Sequence, residues 1–290
     1  MNPRGTALVL ALAIAAPACR RSQETTASET SDAERQKVLR FWERYNAATA
    51  ARIDHDCRKA AELYQEALAL NPRHEDCLYY LGQCRRDLGQ PAQAREAFDR
   101  LVDVNPASAR GHLALAALLA SPEAKEPLDL PRAEAHLRRA HEINGEETGP
   151  MVHLGEVLIV EGKPAEAREW FESALRTNPK SVEAAFLAGY LAWESGDDRA
   201  AGSFAQRARD AARIDAPVKG VLNEGDRKDA KRIIAPPLAR PMGRLFFGET
   251  AAFVREAARE GRRAGDAEFV AAWRSVRKTR RDCERRVPRG

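Results

Sequence analysis

The dipeptide Asn-Pro stands at Asn71-Pro72, Asn105-Pro106 and Asn178-Pro179, and the first two prolines are 34 residues apart. Self-similarity at a period of this length marks an array in which no unit can bury its apolar face alone and stacking supplies a continuous core. With each of these prolines at position 32 of the unit, other columns align. Position 8 reads Ala48, Gly82, Ala116, Gly155 and Gly189; position 20 reads Ala60, Ala94, Ala133, Ala167 and Ala201. Position 24 reads Tyr64, Phe98, Leu137, Phe171 and Ala205, position 27 reads Ala67, Leu101, Ala140, Ala174 and Ala208, and position 15 adds Gly89, Gly162 and Gly196. The units are 41–74, 75–108, 109–147, 148–181 and 182–215. The third carries five extra residues within Ser121 to Pro131 and ends in Asn144-Gly145.

Within each unit apolar residues recur at three- and four-residue spacing, which predicts two antiparallel helices, A then B. Small side chains at positions 8 and 20 are expected to face each other where the helices approach most closely, and the position-24 rings to fill the gap beside the next unit. Glycine at position 15 suits a tight A-to-B turn. A residue before proline is pushed out of helical geometry, so Asn71, Asn105 and Asn178 end helix B. A hydrophobic fraction of 44% excludes general disorder, while an aromatic fraction of only 6% requires a core of small side chains in close contact.

Residues 41–215 resemble the tetratricopeptide repeat, on the strength of these columns. The resemblance implies an all-α, right-handed superhelical solenoid of helical hairpins that grips a partner's peptide segment in a concave groove, without catalysis or cofactor. Groove positions 2, 5, 6, 9, 12 and 13 of helix A then supply Trp42, Tyr45, Tyr79, Tyr80, Phe186, Tyr190 and Trp193. Leu113, Val152 and Ile159 add aliphatic contacts, and Arg52, Arg86 and Arg110 positive charge. Aromatic residues with arginine are the composition of binding hot spots. Family members that clamp a C-terminal carboxylate use Lys and Asn here; Tyr45 and Thr49 occupy two such positions, so that mode is not expected.

Beyond the repeats, residues 216–245 hold Pro217, Pro236, Pro237 and Pro241 with three glycines and read as a linker. Two helical stripes follow, Phe246, Phe247, Thr250, Phe253, Val254, Ala257 and Ala258, then Phe269, Val270, Trp273 and Val276. They predict a helical pair over 246–290, a degenerate sixth hairpin or a cap. Residues 255–290 hold 12 Lys/Arg against 6 Asp/Glu, whereas the whole chain is only +4. A basic tail invites phosphate contacts, but the N-terminus argues against nucleic acid.

The chain opens MNPRGTALVLALAIAAPAC: a positive start, a short apolar run and Ala16-Pro17-Ala18 before Cys19. This is the pattern of a secretory signal over 1–18. Cysteine at the first mature position resembles a bacterial lipoprotein signal, which implies lipidation at Cys19; soluble secretion with cleavage at the same bond fits the small residues equally well. The Ser/Thr/Glu-rich stretch 19–38 reads as a flexible polar tether. The expected address is the cell envelope, as an outer-membrane lipoprotein facing the periplasm or a soluble exported protein. In plan this is similar to the repeat-bearing envelope lipoproteins of outer-membrane β-barrel assembly and of type IV pilus secretin assembly.

No phosphate loop, nucleophile elbow or metalloprotease helix is present. His112, His136, His141 and His153 read as solvated or partly packed imidazoles without a spaced acidic partner. The competing reading is a metal-binding or enzymatic module on His55, Cys57, His74 and Cys77, although His55 and His74 belong to turns at opposite ends of one helix B. A third reading is a passive spacer. If Cys19 is modified, Cys57, Cys77, Cys84 and Cys283 remain. Antiparallel packing about Pro72 puts Cys57 near Cys84 and far from Cys77, so the alternatives are a Cys57–Cys84 bridge or four free thiols.

Overall fold

The computed structural model describes residues 18–121, 127–214, 246–247 and 250–288, with side chains from residue 31. The expected signal segment (apart from Ala18), the linker 216–245 and part of the third-unit insertion lie outside the described residues. Ten helices form five successive hairpins: α1 (Ala18–Ile53) with α2 (Cys57–Leu70), α3 (Glu75–Asp87) with α4 (Pro91–Val104), and α5 (Ala109–Leu119) with α6 (Leu130–Ile143). They continue as α7 (Thr148–Val160) with α8 (Pro164–Thr177), and α9 (Val182–Glu194) with α10 (Asp198–Ile214). Each of these helices packs on its neighbour in sequence, and two more follow, α11 (Ala252–Arg259) and α12 (Asp266–Glu284). No strand occurs among the described residues.

Local chemistry sets the helix ends. The Ser108 and Ser181 hydroxyls and the Asp56 and Asp129 carboxylates accept backbone N–H groups at the starts of α5, α9, α2 and α6, satisfying donors that have no intrahelical partner. Pro91 and Pro164 stand in the first turns of α4 and α8, where a missing N–H costs nothing. Asn71, Asn105 and Asn178 end α2, α4 and α8 with φ of −135°, −136° and −132°. Their side-chain oxygens accept the N–H two residues on. Asn144 ends α6 with φ −138° although glycine follows it, so this backbone conformation does not require the proline. In the A-to-B turns Gly89, Gly162 and Gly196 have φ of 70°, 76° and 80°, and His55 holds the same left-handed place in the first hairpin at φ 63°.

Packing between the paired helices departs from expectation in one respect. The nearest neighbour of the position-8 glycine is the position-24 ring, not the position-20 alanine. A Cβ on Gly82 would lie 2.4 Å from Phe98 Cε1, and one on Gly155 would lie 2.4 Å from Phe171 Cε1. Each ring turns an edge toward the glycine of its own hairpin, with Ala94 and Ala167 fully buried alongside. The fifth hairpin has Ala205 in the ring column, and there the space above Gly189 is taken by Trp273 of α12, whose ring carbon would meet a Cβ at 2.8 Å.

Two features at the ends of the described chain complete the fold. Residues 19–38 are helical in backbone as the first part of α1, because no Gly or Pro occurs between Pro17 and Pro72 to interrupt it; residues 31–40 are exposed on every side. Of the two readings of the C-terminal pair, a degenerate sixth hairpin or a cap, the contacts fit the cap. Phe246 and Phe247 lie in a turn, the first stripe becomes helical only from Ala252, and α11 packs on α10. Helix α12 turns back over α7, and the Leu128 N–H donates to Arg286 O at 3.4 Å, so the chain end reaches the third hairpin. It is a cap folded across the A helices.

Candidate functional site: an inner face in two halves

The A helices α1, α3, α5, α7 and α9 form the inner face. Its C-terminal half is filled by the chain itself. Trp273 Nε1 donates to Phe186 O at 3.1 Å, its ring stacks on Trp193 with centroids 6.0 Å apart, and Phe253 and Phe269 pack on Phe186 at 6.0 and 6.1 Å. Charges close the contact. Arg277 lies 4.2 Å over the Trp193 ring, and Arg277 and Arg280 bind the Glu194 carboxylate at 3.2 and 2.8 Å. Arg255 forks onto Glu183, whose carboxyl is held below the usual range by that guanidinium although burial opposes it. Glu156, buried on α7, accepts the Phe247 N–H at 3.2 Å and pairs with His153 at 2.8 Å. Behind the pair, buried Arg209 of α10 binds Ala264 O and Asp266 and lies 4.7 Å over Phe269.

Six groove positions expected to meet a partner are therefore covered. Leu113, Val152, Ile159, Phe186 and Tyr190 are buried in the largest core cluster, and Trp193 packs against it. For Phe186, Tyr190 and Trp193 the reason is the fold-back of α11 and α12, which places Trp273 and the arginines where a ligand was expected. Burial, then the neighbouring Glu194 carboxylate, pushes the Tyr190 phenol well above its ordinary range against the opposing Arg280 charge.

The N-terminal half is different. Trp42 is 47% exposed, the only exposed Phe, Tyr or Trp ring among the described residues. It meets Tyr45 edge-on at 5.5 Å, and Tyr45, Phe41 and Trp42 surround the His74 ring at 5.2, 4.8 and 6.1 Å. Burial lowers the His74 pKa, and its Nδ1 accepts the Cys77 N–H at 3.3 Å. On α3, half-buried Tyr79 and Tyr80 lie edge-on at 5.2 Å. Arg52 sits 4.0 Å over Tyr80 and Arg110 4.8 Å over Tyr79, while Arg52 Nε also donates to Tyr64 OH at 3.2 Å. Of the three expected cations, Arg86 pairs with Asp87 at 3.2 Å and Arg110 with Asp76, whereas Arg52 has, among the described residues, Tyr80 and Tyr64 as its partners and no carboxylate. Phe41 and His74 belong to this cluster and are absent from the expected groove set: Phe41 precedes the first groove position and His74 ends a unit.

The four residues of the metal reading are not assembled. His55 and Cys57 lie at the start of α2 and His74 and Cys77 beyond its end, about 20 Å away along a 14-residue helix. No group of three or more His, Cys, Asp and Glu able to hold a metal ion occurs among the described residues. Cys57 and Cys84, by contrast, are brought together.

His153 has its acidic partner after all, three residues on at Glu156. In the third hairpin His112 and His136 share a hydrogen bond between Nδ1 atoms 2.9 Å apart, and His112 Nε2 donates to Pro106 O at 3.1 Å. Burial, then His112 and Arg132, push His136 down to about 4. The unfolded chain takes up this proton near pH 6.5, so the stability gained by keeping His136 neutral is complete above that pH and is lost as pH falls toward 4. Melting curves between pH 7 and pH 4.5 are expected to show a falling Tm, with a smaller fall in His136→Gln.

The arrangement defines an α-solenoid of helical hairpins, closed at one end by its own terminal helices. Residues 51–118 and 153–217 each match a tetratricopeptide repeat family profile, and the chain carries tetratricopeptide repeats in these two stretches. Among solved structures it is similar to MamA, at 21% identity over 63% of this chain and 98% of that chain with a TM-score of 0.53. It is also similar to residues 41 to the end of MamA from Desulfovibrio magneticus RS-1, at 14% identity over 61% and 98% with a TM-score of 0.55. PilF of Pseudomonas aeruginosa is similar at 17% identity over 68% and 93% with a TM-score of 0.52. At these identities the likeness is one of fold. No curated protein matches the chain in sequence.

Proposed function

We propose that the protein is a non-catalytic protein–protein interaction scaffold of the cell envelope, and that its partner segment docks on the N-terminal half of the inner face, against Trp42, Tyr45, Tyr79, Tyr80 and Arg52. The observation that carries this reading is the contrast between the halves. Phe186 and Trp273 pack on each other and Tyr190 is buried beside Trp193, while the Trp42 ring is exposed and Tyr45, Tyr79 and Tyr80 are half-buried. A rigid aromatic cluster with stacked arginine is what a binding anchor requires, because little conformational entropy is lost on contact.

The envelope setting rests on the opening MNPRGTALVLALAIAAPAC and a lipid anchor at Cys19. Among the described residues no helix is long and apolar enough to cross a membrane. Radiolabelled fatty acid incorporated by the wild-type chain and not by Cys19→Ala supports the anchor; equal labelling, or none, overturns it. For the docking surface, a photo-crosslinking residue at position 42 or 79 should capture a discrete partner that the same residue at exposed Arg100 on α4 does not. Identical products from all three positions would contradict it.

A further inference from the structure

Four of the chain's cysteines lie among the described side chains as free thiols, and the fold brings two of them into contact. Cys57 opens α2 and is half-buried; Cys84 lies in the last turn of α3 and is buried. Both pack in the apolar cluster that contains Ala60, Ala61 and Leu81, and the two thiols are hydrogen-bond neighbours. The topology explains the meeting: α2 and α3 run antiparallel about the turn at Asn71 to His74, which sets the start of one helix against the end of the other. Cys77 stands seven residues back along α3, about 10 Å away, and Cys283 lies on α12 in a different cluster.

We propose that Cys57 and Cys84 form a redox-active pair whose disulfide ties the first hairpin to the second beneath the open half of the inner face. The oxidant is a low-molecular-weight disulfide such as oxidised glutathione. Cys57, the thiol that solvent reaches, attacks one sulfur of that disulfide as its thiolate, having released its proton to water. A mixed disulfide forms and one oxidant thiolate leaves. Cys84, giving up its own proton, displaces the second oxidant thiolate from Cys57. Two protein thiols are oxidised, one external disulfide is reduced to two thiols, and the two protons end on those thiols. Burial holds the Cys84 thiol protonated in the reduced state, so the pair stays reduced until Cys57 is engaged.

The position gives the bond a consequence. Tyr80 lies one turn before Cys84 on α3, and Arg52, stacked on Tyr80, ends α1 just ahead of Cys57. Bridging the two cysteines fixes the hairpin bearing Trp42, Tyr45 and Arg52 relative to the one bearing Tyr79 and Tyr80. This holds whether or not that face binds a partner.

The test uses the full chain with Cys19→Ala, equilibrated with oxidised or reduced glutathione, alkylated and mapped as non-reduced peptides. The expected result is one linked peptide joining Cys57 to Cys84, with Cys77 and Cys283 alkylated. The oxidised chain should also melt about 5–10 °C above the reduced one, a difference absent from Cys57→Ser/Cys84→Ser. Alkylation of both Cys57 and Cys84 after oxidation overturns the proposal, as does a bridge from either to another cysteine. An equal redox shift in the double variant overturns the strut.

Discussion

Replacing Gly155 by alanine lowers the stability of the solenoid by about 1–3 kcal/mol, the cost of overpacking a filled interior. The sign is the informative part. At an exposed helical position the same exchange stabilises by about 1 kcal/mol, because glycine loses the most backbone freedom on folding. Gly202 on α10 is such a position, exposed and with nothing within 4 Å of a new Cβ. At Gly155 the new methyl group would stand 2.4 Å from the Phe171 ring edge, and the fully buried ring cannot retreat without displacing its own neighbours. Urea titrations of the two variants should move in opposite directions. A neutral or stabilising Gly155→Ala would show that ring and glycine do not meet as described.

Truncating Trp273 to alanine removes about 3–5 kcal/mol from the docking of the C-terminal pair. Three contacts are lost together: the hydrogen bond to Phe186 O, the stack on Trp193, and the ring that occupies the space above Gly189. The arginine pairs to Glu194 remain, but partly exposed ion pairs of this kind contribute little alone. Helix α12 should therefore loosen as a unit, with faster amide exchange across 266–284, while α1 to α6 keep their protection. Phe186, Tyr190 and Trp193 should become accessible in the same variant. Unchanged exchange along α12 would mean that the helix is held by something other than this ring.

The hairpin architecture was legible because it rests on short-range rules. Asparagine before proline, glycine at position 15 and small residues at positions 8 and 20 are each dictated by local geometry, and the helices α2 to α9 begin and end where those residues place them. The contact between Cys57 and Cys84 was legible for the same reason, since an antiparallel turn fixes which ends meet. The division of the inner face was not. Trp193 and Trp42 occupy equivalent kinds of position, and nothing local distinguishes a ring that meets solvent from one that meets Trp273, 80 residues further along the chain. One sequence signal did point that way. The fifth hairpin has Ala205 where the others carry a ring or leucine, leaving a vacancy over Gly189 that some distant large side chain had to fill. The stretch 19–38 reads as a tether because its polar composition leaves no apolar face to bury, which does not prevent an uninterrupted helix.

Hydroxyl-radical footprinting of the intact chain tests the division of the face most directly, since ring oxidation follows solvent contact residue by residue. Trp42 should oxidise fastest and Tyr45, Tyr79 and Tyr80 at intermediate rates, with Phe186, Tyr190 and Trp273 protected at least about tenfold relative to Trp42, as their near-complete burial requires. Comparable oxidation of Trp42, Tyr190 and Trp273 would contradict the account, because it would mean that the terminal helices do not close the C-terminal half in solution.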